Sequence, residues 1–312
     1  MRIPFFRELE TSRRVLIAGC GGGFDIVSGL PLYVALQHQG KRVFLANLSF
    51  ARVDLACPKK IGPSARLVDF DSRMQGYFPE RHLVDWLAAR GDEPKIFAFE
   101  KSGVRPTCRS YEALVRLLDI DTLILVDGGT DSLMKGDEAA LGTIEEDALS
   151  IVAANETACP RKFLVCLGFG VDHFHGVCHH SFLENAAELI RSGGFLGCVS
   201  VSAGEPEGDA LLDAVDFLNA RQPSSKSIVA NSIASALRGD FGDRHATERT
   251  RGSELFVNPL MSLYWCFRLE AVARKMGFYD AIAGSETFHE IESAIRIHHA
   301  RVAKRDWKNL PL

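Results

Sequence analysis

The stretch Val15-Leu-Ile-Ala-Gly-Cys-Gly-Gly-Gly-Phe-Asp25 constrains the fold of this chain more than any other. Four apolar residues, Val15 to Ala18, read as a buried strand. Gly19, Gly21, Gly22 and Gly23 follow, then Asp25 and a helical pattern from Ile26 to Gln39. This order of strand, glycine turn and helix leaves unpaired backbone N–H groups at a helix N-terminus, where an anion can sit. Gly40 is placed to cap the helix, and Arg42 to Ser49 reads as a second strand. Strand, helix and strand within about 35 residues predict a right-handed βαβ unit with parallel strands.

The alternation continues to about residue 220. Strands are predicted at Ile96–Glu100, Thr122–Asp127, Lys162–Leu167 and Phe195–Val201. Helices are predicted over 80–90, Tyr111–Leu118, Ile144–Ala154, Phe182–Ile190 and Leu211–Leu218. Residues 50–79, rich in Pro and Gly, read as an irregular segment. Ile228–Leu237 is ambiguous between strand and helix, and Leu255–Asn258 reads as a short last strand. Met261–Met276 and Glu286–His298 read as C-terminal helices. The predicted fold is a Rossmann-like, doubly wound α/β domain with a mainly parallel sheet and helices on both faces. One domain over 1–312 is expected, with a core at 14–260 and a helical extension at 261–312 that packs on the sheet or forms a homodimer face.

Composition bounds the partners. The net charge of −4 gives no case for nucleic acid or an anionic membrane. The basic run Arg244 to Arg251 reads as a solvated loop. The eight cysteines form no Cys-x-x-Cys pair, and several lie in strand-like runs, so core packing rather than a disulfide framework is expected. No apolar run approaches the ~20 residues of a membrane span, and no basic-then-apolar leader opens the chain. A soluble cytoplasmic protein with a small-molecule partner is the expectation.

In an open parallel sheet, ligands bind beyond the carboxyl ends of the strands. Polar and acidic residues collect there: Asp25 after the first strand, Asn47 and Ser49 after the second, Glu100 after the third. Asp127, Gly128, Gly129, Thr130, Asp131 and Ser132 follow the next, then Asp172, His173 and His175, then Ser202 and Glu205. Gly19, Gly21 and Gly23 meet only the first part of a dinucleotide fingerprint, because Phe24 stands where its last glycine belongs; no P-loop lysine follows either. Asp25 would repel a pyrophosphate; it is suited to capping a helix or to accepting bonds from sugar hydroxyls. Gly21, Gly22, Gly23, Asn47, Gly128, Gly129, Thr130 and His173 are the candidate ligand-binding residues alongside Asp25. Asp127 and Asp131 could share a Mg²⁺, or one could act as a base with its pKa raised by the other. An Asp-Gly turn with a helix cap is the plain structural alternative.

Four histidines fall within His173–His180, but without paired cysteines the spacing argues against a structural zinc site. His173 and His175, if extended, would point the same way. Acid–base work by one of them, or by His179, competes with a partly solvated capping cluster. Asn231, Ser232 and Asn258 could reach the same pocket, though each also suits a local turn.

The segments Gly21-Gly-Gly-Phe-Asp25 with Gly29-Leu-Pro-Leu32, Asp127-Gly-Gly-Thr-Asp131 and Gly168-Phe-Gly-Val-Asp172 resemble an uncharacterised prokaryotic family, domain of unknown function 1152. The resemblance covers most of residues 14–270. It implies a Rossmann-like fold and supplies no catalytic roles.

Function is therefore read from the residues. Asp127, Asp131, Asp172 and His175 are the catalytic candidates, and no residue is assigned to a metal. The favoured expectation is hydrolytic or lytic cleavage of a nucleotide-, nucleoside- or sugar-like molecule, with an N–glycosidic bond suited to carboxylate chemistry. A metal-dependent phosphate-ester enzyme and a non-catalytic nucleotide sensor are the alternatives.

Overall fold

A computed structural model of the protein describes residues 3–74 and 76–310. The strands are β1 (Arg14–Gly19), β2 (Arg42–Leu48), β3 (Ala65–Val68), β4 (Ile96–Phe99), β5 (Thr122–Gly128), β6 (Arg161–Leu167), β7 (Phe195–Ser200), β8 (Gly242–Asp243), β9 (Phe256–Val257) and β10 (Leu263–Arg268). Eight of them form one sheet in the order β3-β4-β2-β1-β5-β6-β10-β7; β8 and β9 pair separately. Strands β4, β2, β1, β5 and β6 run parallel, whereas β3 and β10 are antiparallel to their neighbours.

The central strands are apolar throughout because both sheet faces are covered. Val15 and Ile17 of β1 and Ile124 and Val126 of β5 enter one buried cluster. Their alternates Leu16, Ala18, Leu123 and Leu125 enter the other, as the two-residue period of a strand requires. The first cluster includes residues of the helices Leu30–His38, Pro79–Ala89 and Pro206–Arg221. The second includes residues of Ile144–Glu156, His179–Arg191 and Phe288–Arg301. No helix among the described residues is long and apolar enough to cross a membrane. All eight cysteines are free thiols.

The mainly parallel, Rossmann-like α/β architecture is as expected, with local corrections. The helix predicted from Ile26 is two, Asp25–Ser28 and Leu30–His38. Between them Gly29 lies against β1 and β5, where an added Cβ would stand 2.8 Å from Ile17 Cγ2. Residues 50–79 contain the edge strand β3, and Ile228–Leu237 is a helix capped by Ser227. The largest correction is at Met261–Met276. Leu263-Tyr-Trp-Cys-Phe-Arg268 is β10, inserted antiparallel between β6 and β7, and only Leu269–Ala273 continues as a helix. Aromatic side chains favour a pleated, packed surface, and that preference outweighs the helical spacing read across the segment. Residues beyond 260 thus contribute to the sheet itself, and the proposed boundary at 260 does not hold.

Candidate functional site

From β1 the chain winds outward through β2 to β4 and β3; from β5 it winds the other way, through β6, to β10 and β7. Adjacent strands β1 and β5 therefore mark the topological switch point, where open α/β sheets form a crevice. A cavity of about 320 Å³ occupies it.

Its floor is carboxylate. Asp25 follows β1, Asp127 ends β5, Asp131 lies in the turn beyond it, and Asp172 lies in the turn after β6. A fifth, Asp147, comes from the first turn of the helix Ile144–Glu156. All five are buried and line the cavity. Asp25 Oδ2 accepts from the Gly21 amide at 2.6 Å, and Asp172 Oδ2 accepts from the Thr130 amide at 2.6 Å. Asp131 Oδ2 accepts from the amide and hydroxyl of Thr143 at 2.8 and 3.0 Å. Asp127 accepts from the hydroxyl and amide of Ser132. Asp147 Oδ1 is buried with no hydrogen-bond partner.

Among the described residues, no Lys or Arg forms an ion pair with any of the five. Desolvation is the main influence on each, and it pushes all five carboxyls above the ordinary aspartate range. Mutual repulsion adds to the rise: Asp131 acts on Asp25, Asp127, Asp147 and Asp172. At Asp131 the two bonds from Thr143 work against burial. One oxygen from each of Asp25, Asp127 and Asp147 lies within 4.8 Å of the others. The pair first considered for Mg²⁺, Asp127 and Asp131, is not this close set, since Asp131 turns an oxygen to Thr143.

The walls are mixed. Phe50 and Tyr77 stack with ring centroids 6.5 Å apart and planes 23° from parallel. Lys101 sits 4.3 Å from the Phe50 ring centroid and pairs with Glu146. Ser227 and the N-terminus of the helix Ile228–Leu237 face the cavity, as does the exposed Arg249. His175 stands exposed at the mouth; desolvation of its ring holds its pKa below the ordinary histidine value, against the pull of Asp131.

The structure thus brings together Gly21, Gly22, Gly23, Asp25, Asp127, Gly128, Asp131, Asp172 and His175. Four expected ligand contacts lie elsewhere. Asn47 is fully buried beneath the glycine turn, donating to the Gly23 carbonyl at 2.8 Å and to Glu80 at 2.8 Å. Gly129 and Thr130 are backing for Asp172. His173 turns away, with its ring 5.1 Å from that of His179 and 5.4 Å from that of Trp307. The segment is a tight 3₁₀ turn, Val171–His175, so the two histidines diverge rather than align. Asn231 bonds Asn219, Ser232 bonds the Ile228 carbonyl and Asn258 caps the turn at Leu260, all outside the cavity.

Sequence reasoning missed Asp147, Lys101, Arg249, Phe50 and Tyr77. Asp147 had a readable signal. It lies three residues after Ile144 and four before Ile151, both fully buried, so helical spacing sets it on the inward face. Arg249, in the run taken for a solvated loop, reaches the cavity through a fold-back that no local pattern announces.

A switch-point cavity floored by carboxylates on an open, mainly parallel sheet defines a Rossmann-like α/β protein with an acidic cavity. The chain belongs to the family described as protein of unknown function DUF1152, whose model matches residues 16–302. No curated protein matches the sequence.

Proposed function

We propose that the protein is a hydrolase acting on a nucleotide-, nucleoside- or sugar-like small molecule bound in the switch-point cavity. The observation that carries this reading is the convergence of five aspartates from four chain segments on one buried floor. A fold needs no such cluster for stability, since unpaired buried carboxylates cost free energy. Sites of chemistry are where such costs are tolerated.

The geometry divides the labour. Asp25, Asp127 and Asp147 form the deep acidic floor, suited to fixing polar oxygens of a ligand. Buried Asp131 and exposed His175 interact electrostatically. A neutral imidazole at the cavity mouth can take a proton from an attacking water, with Asp131 stabilising the imidazolium that forms. Asp172, whose pKa burial raises well above the ordinary aspartate range, is suited to return a proton to the leaving group. The Phe50–Tyr77 wall offers a flat apolar face for a base or sugar ring. Cleavage of a glycosidic bond fits this set, because carboxylates stabilise an oxocarbenium-like transition state.

One feature favours a second reading, hydrolysis of a phosphate ester. Arg249, Lys101 and the N-terminus of the ten-residue helix Ile228–Leu237 all border the cavity and suit an anionic group.

A panel of nucleosides, nucleotides and sugar phosphates, incubated with the protein and resolved by mass spectrometry, tests both. A free base or free sugar supports glycosidic cleavage, and released inorganic phosphate supports the ester reading. Asp127→Asn should lower turnover at least about a hundredfold while the circular dichroism spectrum is retained. Recovery of every compound unchanged removes the hydrolytic reading.

A further inference from the structure

We infer that Asp25, Asp127 and Asp147 form a binding site for a hard divalent cation such as Mg²⁺, Mn²⁺ or Ca²⁺. The inference rests on reading the switch-point cavity as the working site, and it names an inorganic ligand for that site.

Three observations carry it. First, one oxygen from each residue lies within 4.8 Å of the other two. Oxygens on a shared Mg²⁺ at about 2.1 Å stand about 3 Å apart when adjacent and about 4.2 Å when opposite; on Ca²⁺ they reach about 4.8 Å. With every separation at or below 4.8 Å, the three oxygens fall within the span of one hard ion's ligand shell.

Second, Asp147 Oδ1 is wholly buried, bonds nothing and belongs to a side chain lining the cavity. A buried carboxylate oxygen without a donor is costly, and such groups have a reason when they persist. Asp25, Asp131 and Asp172 each have a backbone amide on one oxygen; Asp147 has no such donor.

Third, no Lys or Arg among the described residues pairs with the floor; its donors, the Gly21 amide, the Ser132 amide and hydroxyl and the Cys20 thiol, are neutral. Lys101 is taken up by Glu146, and Arg249 is an exposed residue at the rim. The donor set is oxygen only, since no histidine or cysteine joins the triad. Oxygen donors select hard cations over zinc or copper. Gly21 makes room for the arrangement: a Cβ there would stand 2.8 Å from Asp147 Oδ2 and 3.0 Å from Asp25 Oδ2.

Calorimetric titration of the chelator-treated full-length protein with MgCl₂, MnCl₂ and CaCl₂, each alone, tests the site. At least one ion should bind with a Kd below about 1 mM, and Asp147→Asn and Asp25→Asn should each weaken it at least tenfold. No binding of any of the three ions by the wild type overturns the inference, as does wild-type affinity in both variants. A localisation that needs no variant uses Fe²⁺ with ascorbate and peroxide. Cuts near residues 21–25, 127 and 147, suppressed by the tightest-binding ion, support the site, and cuts confined elsewhere overturn it. Cation binding without turnover of any test compound leaves the site standing and removes the hydrolytic reading. Turnover of a test compound by a protein that binds none of the three ions does the reverse.

Discussion

Glu80→Gln should make the protein more stable above neutral pH and less sensitive to pH. Glu80 lies in the first turn of the helix Pro79–Ala89 and is completely buried. Its Oε1 accepts from Asn47 Nδ2, and its Oε2 has no partner. Burial pushes its pKa from 4.5 to about 7, although the Asn47 bond works the other way. The sign follows from linkage. Below about pH 4.5 both folded and unfolded chains hold the proton, so no cost arises. Between about 4.5 and 7 the unfolded chain releases the proton while the folded chain keeps it, and stability falls as pH rises. Above about 7 both are ionised and the folded state carries the full cost, roughly 3 kcal/mol at ~1.4 kcal/mol per pKa unit. Glutamine keeps the acceptor for Asn47 and carries no charge at any pH. Urea denaturation at about pH 5 and about pH 8 should therefore show the variant gaining on the wild type by up to roughly 3 kcal/mol between the two. A wild-type-minus-variant difference that is equal at both pH values would refute the reasoning. The consequence reaches the site, because Asn47 also holds the Gly23 carbonyl, so the state of Glu80 sets how firmly the glycine turn is clamped.

Gly129→Ala should destabilise by about 1–3 kcal/mol, read from the shift in denaturation midpoint, because φ there is +154° and the new Cβ would stand 2.5 Å from Asp172 Oδ2. His175→Ala should leave stability within about 0.5 kcal/mol, since the side chain is exposed, yet lower turnover at least about tenfold; unchanged turnover would remove His175 from the reaction. Thermal unfolding of Asp147→Asn without added ions should occur at or above the wild-type temperature, because a buried, unpartnered charge is removed.

The parallel core was legible because its signal is local. β1, β5 and β6 each contain a continuous apolar run and lead into a glycine–aspartate corner, and runs of that kind lie buried between helix layers. Strand β10 was not legible, since Leu263–Arg268 owes its state to the slot between β6 and β7 rather than to its own spacing. The three glycine–aspartate corners could be seen to share a sheet rim, and Asp25, Asp127 and Asp172 do line one cavity. Asp147 was hidden among Glu145 and Glu146, where acids in a first helical turn ordinarily favour the dipole and face water. His173 was misjudged because side-chain direction depends on the turn geometry, which composition does not encode.

The glycines of these corners have a shared role that their motif resemblance obscures. A glycine turn after β1 suggests backbone N–H groups wrapped around a phosphate. Here the space beside Gly21, Gly128, Gly129 and Gly142 is filled by an aspartate instead, while Gly22 and Gly23 face Phe50 and Tyr77. A Cβ on Gly21 would collide with Asp147, one on Gly128 would stand 2.8 Å from Asp25 Oδ1, one on Gly129 would strike Asp172, and one on Gly142 would stand 2.7 Å from Asp131. Save for the second contact of Gly21, with Asp25, and that of Gly142, whose Asp131 lies in the same connection, the carboxylate comes from a different segment than the glycine. The missing side chains let the three loops after β1, β5 and β6 bring their acids to within hydrogen-bond range of backbone. The glycines therefore build the acidic floor rather than a cradle for a dinucleotide. An enlarged residue at Gly129, which does not line the cavity, should disturb Asp172 of another loop, so ligand affinity should fall although position 129 itself never meets the ligand.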